Sequence, residues 1–156
     1  MSDHSGCLLQ TIDQHNWRAA LEVRVTPEQL RFVAGHQPVA LVILAKAHLR
    51  IGDLDWEALA VVREGSVVGV LALAHAETYT ELLHLAIDLD SQGQGIGSAA
   101  VTLALARVAE TRPGCTEVRL TVHPENTRAQ EVYRRLGFTP NGEMREGEAV
   151  WMLALR

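Results

Sequence analysis

The chain has 156 residues, 47% hydrophobic and 21% charged, with a formal net charge of −5, which fits one globular domain with a real core and argues against nucleic acid, whose phosphates want a basic face. Two cysteines, Cys7 and Cys115, are too few for a disulfide framework, so a reducing, cytoplasmic setting is expected. The polar start, Met1 to Gly6, has no apolar signal core, and no run reaches membrane-spanning length, so no membrane partner is expected.

Cys7 to Ile12 reads as a first strand. Asp13 or Asn16 then caps a helix carrying Trp17, Ala20, Leu21 and Val23 on its apolar side. Thr26-Pro27-Glu28-Gln29 restarts a helix, with a Thr cap, Pro at the first helical position and Gln three residues after the cap; it runs to Gly35. Pro38 opens another helical stretch, Val39 to Arg50. The period then changes. Trp56–Arg63 and Ser66–His75 are β-rich runs joined at Glu64-Gly65, a hairpin signal, and Glu81–Ile87 is a further strand. Ser98–Glu110 is a helix apolar almost all round, expected to pack on both sides. Glu117–Val122 is a strand, a helix opens at Pro124-Glu125-Asn126 and runs to Leu136, and Phe138 onward with Ala149–Leu155 supplies a final strand pair. This order predicts an α+β domain spanning residues 1–156, with a mostly antiparallel sheet. Crossover through Ser98–Glu110 makes its two flanking strands parallel. Lys46 is the only lysine, the other basic residues being arginine; no functional reading attaches to that bias.

Strand, glycine turn and helix meet at Gln92-Gly93-Gln94-Gly95-Ile96-Gly97-Ser98. A strand that feeds a glycine turn opening a helix leaves several backbone N–H groups unpaired and pointing one way, with the helix dipole behind them. That is an anion site, and missing side chains at Gly93, Gly95 and Gly97 let a phosphate approach. A P-loop is excluded because no lysine follows the glycines. Gly95-Ile96-Gly97-Ser98-Ala99-Ala100 with Glu117 about twenty residues on also fits a dinucleotide fingerprint of an oxidoreductase domain, but that fold wants consecutive βαβ units and only one is present.

Gln92-Gly93-Gln94-Gly95-Ile96-Gly97 resembles the Q/R-x-x-G-x-G/A signature of the GNAT superfamily of N-acetyltransferases. Asn126-Thr127-Arg128-Ala129-Gln130-Glu131-Val132-Tyr133-Arg134-Arg135-Leu136-Gly137-Phe138 resembles its N-x-x-A-x-x-x-Y-x-x-x-G-F segment. Asn126, Ala129 and Tyr133 share one helical face, though Asn126 as a simple cap and Tyr133 as a core residue fit the same spacing. The resemblance implies a GNAT-like sheet with a splayed parallel pair and transfer of an acetyl group from acetyl-CoA to a primary amine of a small molecule by direct attack. It places the pyrophosphate on Gln92, Gly93, Gln94, Gly95, Ile96 and Gly97, and the pantetheine beside Leu85, Ala86 and Ile87. Asn126 and Tyr133 border the same ligand. Tyr133 is the implied proton donor to the leaving thiolate, and Glu81 or His84 the general base; His75 and His123 read as ordinary strand-end residues. The N-terminal helices loosely resemble bacterial spermine/spermidine-type acetyltransferases, which implies a polyamine held by Trp17, Glu22 and Glu28. Their being core and solvated surface fits equally. The family often pairs through its C-terminal strands, which implies a homodimer. A non-catalytic acyl-CoA sensor module is the alternative reading.

Overall fold

The computed structural model describes residues 6–155, and the polar start from Met1 to Ser5 lies outside the described residues. Seven strands, β1 (Cys7–Thr11), β2 (Asp55–Arg63), β3 (Ser66–His75), β4 (Tyr79–Ile87), β5 (Glu117–Val122), β6 (Thr139–Arg145) and β7 (Glu148–Ala154), form one sheet ordered β1-β2-β3-β4-β5-β7-β6. All neighbours are antiparallel except β4 and β5. The helices are α1 (Trp17–Leu21), α2 (Pro27–Val33), α3 (Val39–Leu49), α4 (Ile96–Thr111) and α5 (Thr127–Arg135). The α+β architecture and the single parallel crossover expected from the sequence are both present.

Strand side chains alternate between faces, and the two faces are built differently. Leu59, Val61, Leu71, Leu73 and Leu82 pack with Ile96, Val101 and Val108 of α4 and with Phe138. The opposite face offers Ala58, Ala60, Val62, Val70 and Ala72 to Ala20, Val39, Ala40 and Ile43 of α1 and α3. Small strand residues let those helices sit close. Phe138, Leu59, Leu71 and Ile43 are fully buried, so truncating any of them to Ala costs about 2–5 kcal/mol.

Three departures from the sequence reading bear on packing and on the site. Helix α4 buries one stripe, Ile96, Ala100, Val101, Ala104 and Val108, while Thr102, Ala106 and Ala109 face solvent; it is packed on one side, and its outward alanines raise helix propensity instead of contacts. Helix α1 ends at Leu21, so Val23 reaches the core from the segment after it. Strand β4 begins at Tyr79, two residues before the expected Glu81.

Those two residues matter, because β4 and β5 pair only at Tyr79↔Glu117, Thr80↔Val118 and Glu81↔Arg119. Beyond them the strands part. On the β3 side, β4 carries one residue more than β3 between Ala72↔Leu83 and Val70↔Ala86, and His84 in that stretch has φ 57°. An extra residue of this kind bends and twists its strand, and histidine enters the left-handed region more readily than the branched residues around it. The bulge aims Leu82–Ile87 away from β5. This is the splayed parallel pair that the resemblance implied.

Candidate active site

A cleft of about 1030 Å³ fills the parting. Its walls are Leu82–Ile87 of β4 and Leu120–Val122 of β5; the glycine corner closes one end, and the other lies between Phe32–Gly35, Lys46 and the β6–β7 turn. Leu85, Ala86, Ile87, Gln92, Gly93, Gly95, Ile96, Gly97, Asn126 and Tyr133 all line it, as do Glu81 and His84. Gln94 does not; its side-chain oxygen accepts a hydrogen bond from Arg63.

The glycine corner is held from behind. Asp88 accepts from the amides of Arg24 (2.9 Å) and Asp90 (3.2 Å), and the Leu89 amide donates to the Arg24 carbonyl at 2.8 Å. Gln92 Nε2 donates to the Ile87 carbonyl (2.9 Å) and to Gln29 Oε1 (3.0 Å), and Gln29 Nε2 returns a bond to Gln92 Oε1 at 3.0 Å. Gln29 is also the closing member of the α2 capping box with Thr26. Thus the Gln92 side chain braces the turn. Gly93 and Gly95 sit at φ 78° and 79°, and a Cβ at either would meet no protein atom within 4 Å. Torsion, not crowding, requires glycine there, and the space in front stays open. The first intrahelical amide of α4 is that of Ala99, bonded to the Gly95 carbonyl at 3.1 Å, so the amides before it are free to hold an anion. Ser98 and Arg128 line this end as well; the sequence reading missed both, although Ser98 directly follows the last glycine.

Asn126 caps α5, its side chain accepting from the Ala129 amide at 3.3 Å, and it also borders the cleft. Cap and cleft roles therefore coincide. Ala129 and Tyr133 continue the same face into the cleft. The Tyr133 ring meets Phe138 edge-on at 5.8 Å, and burial pushes its phenol up to about 12. A group of that acidity keeps its proton at any ordinary pH.

At the far end the two candidate bases differ. Glu81 Oε2 accepts from Arg145 Nη1 at 2.7 Å, so its carboxylate is engaged across to the β6–β7 turn. His84 Nδ1 lies 2.6 Å from the Val33 carbonyl and Nε2 lies 3.0 Å from Lys46 Nζ. A carbonyl can only accept, so Nδ1 carries the hydrogen, and Nε2 presents its lone pair to the lysine. Burial holds the imidazole below its ordinary value, the Val33 bond opposes this, and the Lys46 charge adds to it. His84 thus presents a neutral imidazole with a lone pair on Nε2 at this end of the cleft. Sequence reading passed over Lys46 and Arg145 because their partners lie far away along the chain.

The expected acceptor residues are not brought to this cleft. Trp17, Glu22 and Glu28 are exposed on α1 and α2, and none lines it. The Arg18 guanidinium covers the Trp17 ring at 4.9 Å, occupying the face a ligand cation would use. Glu22 borders a separate depression near Pro38 and Ser66, and Glu28 lies in the first turn of α2, where its charge complements the helix dipole. Among the described residues no group of metal-binding side chains occurs, and no helix is long and apolar enough to cross a membrane.

A bulged strand parts from its parallel neighbour, and the cleft so opened ends on the free amides at the start of α4. The chain belongs to the acetyltransferase (GNAT) family, whose model matches residues 14–138. It is 37% identical over 65 residues to the mycothiol acetyltransferase of Actinosynnema mirum, a match covering 42% of this chain and 21% of that protein. The chain thus aligns with about a fifth of that relative's length. The fold is similar to spermidine N-acetyltransferase from Vibrio cholerae in complex with CoA and spermine (TM-score 0.74, 16% identity, 97% of this chain and 96% of that one). It is also similar to AAC(6')-Ib in complex with paromomycin and acetyl-CoA (TM-score 0.74, 17% identity, 94% and 92%).

Proposed function

We propose that this chain is an acetyl-CoA-dependent N-acetyltransferase that moves an acetyl group to the primary amine of a small molecule by direct attack. The observation that carries the proposal is the single cleft in which the parting of β4 from β5, the glycine corner and Tyr133 meet. The pyrophosphate lies on the free amides at the start of α4, and the pantetheine runs along the open edge of Leu85, Ala86 and Ile87. An amide of the bulged segment polarises the thioester carbonyl as charge builds on its oxygen. His84 Nε2 takes the acceptor's proton, the amine attacks the carbonyl carbon, the C–S bond breaks, and Tyr133 hydrogen-bonds the departing thiolate. Glu81, tied to Arg145, holds the β6–β7 turn at the acceptor's side.

The spermine in the Vibrio cholerae structure keeps a diamine among the acceptors to be tried, but here its distal ammonium has Glu146 and Glu148 at the acceptor end, not the acids of α1 and α2. The test is thiol release from acetyl-CoA with a panel of diamines, amino acids, peptides and amino sugars. Release that depends on an amine and is lost in Tyr133→Phe is the expected result. Binding of CoA with no release for any amine would establish the non-catalytic sensor instead.

A further inference from the structure

The acceptor's amine must stand within hydrogen-bond reach of His84 Nε2 if that atom is to take its proton. An amine already stands there. It is Lys46 Nζ, at 3.0 Å, in the cleft that also holds the bulged β4 segment and Tyr133. It belongs to the only lysine of the chain. Every other basic side chain is arginine, whose guanidinium does not give up its proton, whereas a lysine amine can lose one and become a nucleophile. The fold places the one lysine of this protein beside His84, whose Nε2 lone pair faces it.

Resting on the reading above, we infer that Lys46 is an internal acetyl acceptor: without a competing amine, the bound acetyl-CoA acetylates its own protein at Lys46 Nζ. His84 Nε2 takes a proton from the Lys46 ammonium. The freed nitrogen lone pair attacks the thioester carbonyl carbon, an N–C bond forms, the nitrogen gives its second proton to solvent, the C–S bond breaks, and the thiolate leaves to collect a proton from solvent while Tyr133 hydrogen-bonds it. One acetyl-CoA and one lysine give one N-acetyl-lysine, one CoA thiol and one proton to solution. The acetylated side chain has no ammonium, so the lone pair of His84 becomes available to an external amine and a cationic acceptor no longer meets a like charge.

The whole chain is incubated with acetyl-CoA and no acceptor, and acetyl groups are mapped by peptide mass spectrometry alongside thiol release. The expected result is a burst of thiol approaching one per chain, matched by one acetyl group on the peptide carrying Lys46. Lys46→Arg loses both while melting with the parent protein. His84→Asn, which tolerates the left-handed backbone but cannot take the proton, slows the gain by about 100-fold. Acetylation only at the N-terminal amine overturns the inference, as does a gain at Lys46 equally fast in His84→Asn. So does no gain at all from a protein that releases thiol with an external amine, and that last result leaves the acetyltransferase reading standing. No gain and no release with any amine overturns both.

Discussion

In the reaction proposed above, Tyr133 and His84 divide the proton handling between them by environment. With its phenol pushed up to about 12, Tyr133 cannot fully protonate a thiolate whose conjugate acid lies at about 8.5 like a cysteine's, since each unit of mismatch costs about 1.4 kcal/mol. In the proposed reaction it serves as a hydrogen-bond donor to the sulfur, and Tyr133→Phe is expected to lower kcat by about 100-fold. KM for acetyl-CoA stays near the parent value, as steady-state kinetics will report. His84 works the other way. Its folded-state value lies below the ordinary 6.5 because burial disfavours the imidazolium, so the base form persists below neutrality. The acid limb of kcat/KM against pH is therefore expected on the acid side of 6.5, and His84→Asn removes it. The same depression means that the unfolded chain binds the extra proton first, so the group works against folding as pH falls below 6.5.

At the scale of elements, the bulge in β4 depends on what faces it. Gly69 on β3 has no side chain where a Cβ would lie 2.8 Å from the Ala86 carbonyl oxygen and 2.8 Å from Ile87 Cδ1. Gly69→Ala pushes against backbone next to the parting, and we expect a loss of about 1–3 kcal/mol, read as a lower denaturation midpoint. The bulge itself was not legible in the sequence, because Leu82–Ile87 reads as an apolar strand in which the single polar residue, His84, does not by itself announce an extra residue. The hairpin at Glu64-Gly65, the glycine corner and the Asn126–Tyr133 helix were legible, since each rests on a torsion or spacing that few residue types satisfy. Lys46 was not, because its partner His84 comes from another element. That Trp17, Glu22 and Glu28 lie away from the cleft was not legible either, because pattern likeness says which residue types occur and not which way they point.

For the molecule as a whole, one polar network fastens the closed end of the sheet. Glu57 of β2 accepts from His75 of β3 and, at 2.8 Å, from Arg107 of α4. His75 meets Thr80 of β4 at 2.8 Å, and Thr80 meets Cys115 before β5 at 3.5 Å. The His75 bond, then Arg107, hold the Glu57 carboxyl down at about 2 against the opposing effect of burial. A depressed carboxylate contributes stability that is complete above its unfolded value of 4.5 and is lost as pH falls from there towards about 2. Glu57→Gln is expected to melt about 3–8 °C lower at neutral pH and to show a flatter decline across that acid window, measured by calorimetry at a series of pH values. The ladder that joins the half built from β1 to β4 to the half built from β5, β7 and β6 is short: β4 and β5 pair at three residues, and at the last of them Arg145 of β6 reaches Glu81 at 2.7 Å. Few cross-links of this kind define units that open on their own, below the cost of global unfolding. Amide exchange should therefore expose β5, β7, β6 and α5 as a separate sub-global opening, ahead of Leu71 and Leu73 in the β2–β3 centre. The parting of β4 from β5 thus bears on more than the cleft: it is expected to set the order in which the protein comes apart, with the C-terminal quarter released first.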